Sequence, residues 1–168
     1  MIKNINFLFV TFFGLGTIRY APGTIASLIT TILFFSFFHI IELNKFFILI
    51  IILITIVFSI FSVAFYIKDS QNKDPKEVVI DEFIGQSLPI YMYEISHNNL
   101  NNYFDTILIY LYIFLLFRFF DILKPFPINY IDKKMKNSFG IIFDDIIAGL
   151  YVIFTIILFM TLKINFLT

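Results

Sequence analysis

Apolar residues run along this chain in long blocks, broken by short polar stretches. Thr24 to Ile41, Phe46 to Ile67 and Tyr103 to Phe120 are each long enough to cross a bilayer as a helix. A further helix is expected from Ser138 or Gly140 to about Leu162. The first apolar run, Ile5 to Phe13, is too short to span, and is predicted to lie at the interface or to pack against other helices. No small-x-small site follows it closely, which disfavours signal-peptide cleavage.

The polar breaks predict where the helices turn. Gly14 to Gly23 reads as a loop, Glu42 to Lys45 as a turn, Lys68 to Glu77 as a charged loop, and Glu94 to Asn102 as a polar segment. Asp74-Pro75-Lys76-Glu77 carries the marks of a helix start, with a capping Asp, a Pro at the first position and an acid where a capping box needs one. A helix from there holds Asp81 and Glu82 about two turns in, and Pro89 is predicted to kink or end it. Lys124-Pro125-Phe126-Pro127 stops the third long run, and Lys133, Lys134 and Lys136 are placed on a turn. The expected fold is all-α: a polytopic membrane helical bundle of about four long helices plus a shorter motif-bearing helix, one domain over residues 1–168.

Composition agrees. Hydrophobic residues make up 60% and charged residues 14%, departures from soluble norms towards a membrane protein. The formal net charge is zero, so nothing argues for nucleic acid as a partner. With no cysteine, disulfides, thiolate metal sites and a cysteine nucleophile are all excluded. The 25 Phe residues, beside abundant Ile, Asn and Lys and no Trp, fit a coding bias rather than a function.

Charge then decides topology. If residues 78 to 93 are a loop between four spans, Asp81-Glu82 falls on the opposite face from Asp121 and Asp144-Asp145. If they cross as a short helix, all five acids share one face. In the second arrangement that face also holds Lys3, Arg19, Lys68, Lys73, Lys76, Arg118, Lys124, Lys133, Lys134 and Lys136, leaving only Lys45 and Lys163 opposite. The positive-inside rule therefore favours five crossings, with the acids on the cytoplasmic face.

Charges set among apolar residues need a reason. Asp81-Glu82 lies between Val78-Val79-Ile80 and Phe83-Ile84, and Asp144-Asp145 follows Ile141-Ile142-Phe143. Helix capping would explain one Asp of the second pair but not the whole set. Asp81, Glu82, Asp121, Asp144 and Asp145 together suit Mg²⁺, a hard cation that takes oxygen ligands, and are the expected metal-binding and catalytic residues. Arg118 shares a helix face with Asp121 three residues on, either as a local ion pair or facing a phosphate. Lys124 lies one turn beyond, and both cations would suit a lipid phosphate at the interface. Pro22-Gly23-Thr24 can offer backbone N–H groups to a phosphate oxygen, although a simple N-cap explains Thr24 equally well. His39 and His97 have no ligand partner at a regular spacing and are expected to be structural or interfacial. Gly14-Leu15-Gly16 lacks the Gly-Lys-Ser/Thr ending of a nucleotide loop. Two classes fit these acids: a phosphatase, or a divalent-cation transporter or channel. Their clustering on one face favours the first.

Three blocks of the chain resemble the bacterial phosphatidylglycerophosphatase A family. They are Gly14-Leu-Gly with Ala21-Pro-Gly-Thr-Ile-Ala-Ser-Leu28; Val79-Ile-Asp-Glu-Phe-Ile-Gly85 with Pro89; and Phe117-Arg-Phe-Phe-Asp-Ile-Leu-Lys-Pro-Phe-Pro127 continuing to Gly140-Ile-Ile-Phe-Asp-Asp-Ile-Ile-Ala-Gly149. The resemblance implies an all-helical, Mg²⁺-dependent enzyme that removes the terminal phosphate of phosphatidylglycerophosphate to give phosphatidylglycerol. It places Asp81, Glu82, Asp121, Asp144 and Asp145 in the acidic centre, with Thr24, Arg118 and Lys124 near the substrate. Arg19 stands where the family usually has Pro, Ala26 where it has Gly, and Asn137-Ser138 where Gly-Gly is common. Every motif acid is present.

Overall fold

The apolar runs become helices whose outer faces stay apolar. The computed structural model describes residues 2–68, 75–97 and 102–167, with side chains as far as Leu162. Among them are seven α-helices: α1 (Ile2–Val10), α2 (Pro22–His39), α3 (Lys45–Ile67), α4 (Ile80–Ser96), α5 (Tyr103–Leu123), α6 (Ile128–Lys134) and α7 (Ser138–Leu167). Four of them, α2, α3, α5 and α7 as far as Leu162, are long and apolar enough to cross a membrane. Their outer surfaces carry exposed Phe47, Leu53, Ile54 and Phe61 on α3, Leu111 and Leu115 on α5, and Phe154 and Leu158 on α7. So much apolar surface suits contact with lipid tails. The expected bundle of four long helices with one shorter, motif-bearing helix is the fold observed.

The shorter helix is α4, and it forms the centre. It packs against α2, α3, α5 and α7, and Ile84, Gln86, Ser87 and Ile90 along it are fully buried. Its first turn adjoins Gly23 at the start of α2. At its other end Glu94 meets His39, the last residue of α2. Residues 80 to 96 thus run the length of the bundle beside a helix long enough to cross.

The start of α4 differs from expectation. Pro75 to Glu77 form a turn, in which the Val78 N–H donates to the Pro75 carbonyl at 3.0 Å, and the helix begins at Ile80. Asp74 lies outside the described residues. The cause is tertiary. The Val79 N–H donates to the Val10 carbonyl at the end of α1, 3.0 Å away, and the Val78 and Val79 side chains are buried. Docking of that segment on α1 outweighs the local capping signals. Asp81 and Glu82 therefore lie in the first turn of α4 rather than two turns in. The short first helix does pack rather than span. Phe9 meets Phe58 of α3 with ring centroids 4.7 Å apart, and the Asn6 amide donates to the Ser62 carbonyl at 3.1 Å.

Pro89 neither ends nor breaks α4, which continues to Ser96. Proline removes the N–H that would bond the carbonyl four residues back, here that of Gly85. That carbonyl faces Gly149 on α7, where an added Cβ would lie 2.5 Å from it; a Cβ on Gly85 would lie 2.6 Å from the Asp145 carbonyl. Two glycines thus let α4 and α7 approach closely, one turn below Asp81 on one helix and Asp145 on the other. α5 runs to Leu123 and stops at Lys124, as expected, whereas Lys133 and Lys134 lie at the end of the short helix α6 rather than on a turn. α7 starts at Ser138 as expected, with the Asn137 side chain accepting from the Gly140 N–H at 2.9 Å, and extends past Leu162 to Leu167.

Candidate active site

The start of α2, the start of α4, the end of α5 and the start of α7 meet at one end of the bundle around a cavity of about 400 Å³. All five predicted acids line it, with Thr24, Arg118 and Lys124. They are not equivalent. Asp81 and Glu82 from α4 and Asp145 from α7 each present a carboxylate oxygen within 4.8 Å of the other two. No lysine or arginine pairs with these three among the described residues. Asp81 Oδ1 and Glu82 Oε2 are buried without a hydrogen-bond partner. A buried acceptor left unpaired costs about 1–3 kcal/mol, so this triad is unfavourable as it stands and fits a cation placed between its oxygens. Gly23 makes room for it: a Cβ there would lie 1.9 Å from Glu82 Oε1.

The other two acids are paired. Arg118 Nη1 donates to Asp121 Oδ2 at 2.8 Å and to Ser27 Oγ at 3.3 Å, while its Nε is buried without a partner. The local ion pair is therefore formed, and it also lines the cavity. Lys124 is held between two carboxylates, Asp144 Oδ2 at 2.7 Å and Asp132 Oδ1 at 2.8 Å. Its backbone takes the left-handed conformation that ends α5, with φ of 42°, and this turns the side chain away from the helix axis towards α6 and α7. Burial disfavours the Lys124 charge, but its two carboxylate partners outweigh that and hold its pKa above the ordinary lysine value. Partial burial likewise pushes Asp132 up, but Lys124, with Lys136 and Lys133 behind it, holds it below the usual carboxylate range. Asp144 also accepts the Asp145 N–H at 3.1 Å, which ties the two neighbours together.

Thr24 is the third residue of α2 and does not cap it. Ala21 occupies the N-cap, in the left-handed region with φ of 47°, and offers no side-chain acceptor. The first N–H groups of α2 are therefore left without a side-chain cap beside the cavity, an arrangement that suits an anion. Asp132 is the acid of the cavity missed from the sequence. It sits in a lysine-rich segment, and only the fold of α6 brings it to Lys124. His39 and His97 lie at the far end. His39 Nε2 is 3.0 Å from Glu94 Oε1, which also accepts from the Tyr110 hydroxyl at 3.0 Å, and the Glu94 carbonyl accepts from Lys45 Nζ. His97 stacks on Tyr93 with ring centroids 4.4 Å apart. Both play structural parts, as expected, although Glu94 belongs to a helix rather than to a polar loop.

Residues 8–160 match the sequence profile of the family described as phosphatidylglycerophosphatase A. The chain belongs to that family. It is 35% identical over 144 residues to the Haemophilus influenzae phosphatidylglycerophosphatase A, covering 86% of this chain and 82% of that one. It is 28% identical over 144 residues, 84% of each chain, to a Bacteroides thetaiotaomicron protein whose provisional name is phosphatidylinositol-3-phosphatase. No solved structure matches. The protein is thus a phosphatase of phosphatidylglycerol synthesis built on a bundle of membrane-type helices, and the acid-lined cavity is its candidate active site.

Proposed function

We propose that this protein hydrolyses the terminal phosphate of phosphatidylglycerophosphate, with Mg²⁺ held by Asp81, Glu82 and Asp145, at the cytoplasmic face of a bacterial inner membrane. The observation that carries the metal is the triad of close carboxylates that form no ion pair with a described lysine or arginine and leave buried oxygens unpaired. Oxygen ligands of this kind suit Mg²⁺, which bonds few carboxylates directly and keeps several waters. A divalent cation bound there supplies charge that offsets the phosphoryl oxygens and polarises phosphorus towards attack.

The chain's own groups do the rest. Arg118 offsets the charge of Asp121, and Lys124 shares its charge between Asp144 and Asp132, which lessens the repulsion that a phosphate meets beside so many acids. These two cations, fixed by their carboxylate partners, lie where charge on the transferring phosphoryl group is to be offset. The uncapped N–H groups at the start of α2, with Thr24 beside them, orient a phosphate oxygen. The apolar outer faces keep the bundle in lipid, so that a phospholipid headgroup reaches the cavity from the bilayer. The nucleophile is water, with an Asp carboxylate of the centre as the alternative. Orientation rests on the distribution of basic residues. A cation transporter is less well supported, because the predicted acids gather at one end, and Glu94, a buried acid at the other end, is bound to His39 and Tyr110.

The test is phosphate release from phosphatidylglycerophosphate in neutral mixed micelles, with Mg²⁺ and with excess chelator. We expect release that chelation abolishes and added Mg²⁺ restores. Equal rates in both conditions would remove the metal from the proposal, and no release in either would remove the reaction.

A further inference from the structure

The proposed substrate carries two phosphates, a terminal monoester and a diester that links glycerol to the lipid. The cations inside the cavity are already committed. Arg118 is bound to Asp121, and Lys124 to Asp132 and Asp144. Two other lysines line the same cavity, Lys76 from the turn before α4 and Lys136 from the link between α6 and α7. Both side chains are exposed, so they stand at its mouth, and neither makes an ion pair with a described residue. They approach from separate segments, each held in place: Val78 and Val79, just after Lys76, are buried, and Asn137, next to Lys136, caps α7.

We infer that Lys76 and Lys136 form a second anion subsite at the cavity mouth, which binds the phosphodiester of the substrate while the acidic centre takes the terminal phosphate. This rests on the proposed substrate. Charge argues for it. Six carboxylates line the cavity, counting Asp132, and they outnumber the charges of Arg118, Lys124 and one divalent cation, so a second phosphate is repelled there unless cations outside the inner pairs receive it. Asp132 interacts with cations of both regions. It holds Lys124 inward, and Lys136 acts on it electrostatically from the mouth. The diester is present in the substrate and in the lipid product, and absent from orthophosphate. The subsite therefore distinguishes this headgroup from a phosphomonoester alone.

The experiment measures inhibition of phosphatidylglycerophosphate hydrolysis in neutral mixed micelles by two products. Dihexanoyl-phosphatidylglycerol probes the diester, and orthophosphate probes the inner site. Lys76→Gln and Lys136→Gln should each raise KM and the phosphatidylglycerol inhibition constant about threefold to fivefold. The orthophosphate constant should change by less than twofold, and Lys→Arg variants should retain tight inhibition. An unchanged phosphatidylglycerol constant would overturn the subsite. So would an equal rise in both constants, which would mean that the lysines only set a general field. Failure of the parent protein to hydrolyse the substrate would overturn the proposed reaction instead, and shows itself before any variant is made.

Discussion

Substituting Gly149 by Ala tests how the site is assembled, at a position whose residue touches no substrate. The Cβ would lie 2.5 Å from the Gly85 carbonyl oxygen, where ordinary contact begins at 3.4 Å. The obstacle is backbone, so it cannot rotate away, and α4 and α7 must part locally by about 0.9 Å. Asp145 lies one turn before Gly149 on α7, and Asp81 one turn before Gly85 on α4, so the displacement falls on the triad whose oxygens now lie within 4.8 Å of one another. A shift of about 1 Å in reacting geometry can cost on the order of 10²-fold in rate, and overpacking costs about 1–3 kcal/mol in stability. We therefore expect Gly149→Ala to lower kcat/KM for phosphatidylglycerophosphate about 10²-fold at saturating Mg²⁺, measured well below its own unfolding temperature. Leu150→Ala, on the exposed side of the same helix, should remain within twofold. Gly149→Ala with kcat/KM within twofold of the parent would refute the claim that this glycine contact sets the spacing of the acids.

Other predictions follow from the same geometry. Asp145→Asn should abolish phosphate release yet raise the metal-free unfolding temperature in detergent, because it relieves repulsion among three gathered carboxylates. Asp132→Asn should leave Lys124 with Asp144 as its one carboxylate partner and lower kcat/KM about tenfold, as expected for a lost charge-assisted contact. The sign of its pH dependence follows from both partners. The folded pKa of Asp132 is lowered, so its contribution is present above its unfolded value near pH ~4 and lost as pH falls through the folded value; that of Lys124 is raised, so its contribution is complete below its unfolded value near pH ~10 and lost as pH rises through the folded value. The thermal destabilisation caused by Asp132→Asn should thus be level between about pH 5 and 9 and shrink below about pH 4. Glu94→Ala at the far end should destabilise the bundle by about 3 kcal/mol in thermal unfolding, since it leaves His39 and Tyr110 unpaired, while kcat changes less than twofold. Because the chain has no cysteine, a single Lys134→Cys reports orientation directly: impermeant maleimide should label it in inverted vesicles and not in intact spheroplasts.

Much of this architecture was legible in the chain, because its strongest signals are local. Apolar runs of membrane length became α2, α3, α5 and α7 with ends shifted by a few residues, and Lys124 with the two following prolines stopped α5 where helix chemistry requires. The gathering of Asp81-Glu82 with Asp121 and Asp144-Asp145 followed from charge asymmetry and the alternation of crossings, which are global but simple. Features set by tertiary contact were not legible. The hydrogen bond between Val79 and Val10 moved the start of α4 past a good capping sequence. Pro89 stayed inside a helix, and the Gly85 carbonyl that it leaves without its helical partner lies against Gly149. No spacing in the chain marks Asp132 or Glu94, because their partners, Lys124 for one and His39 with Tyr110 for the other, come only with the fold. The division of five acids into a triad that no described lysine or arginine pairs with and two ion pairs depends on side-chain directions that spacing alone leaves open.

The central claim is that Asp81, Glu82 and Asp145 hold a divalent cation. Its most direct test is an anomalous-difference map of crystals grown with Mn²⁺ in place of Mg²⁺, from protein shown to be active with either ion. The account predicts a peak between these three carboxylates that disappears in Asp145→Asn crystals. A map with no peak there, from protein that binds Mn²⁺ elsewhere or hydrolyses its substrate in chelator, would contradict it.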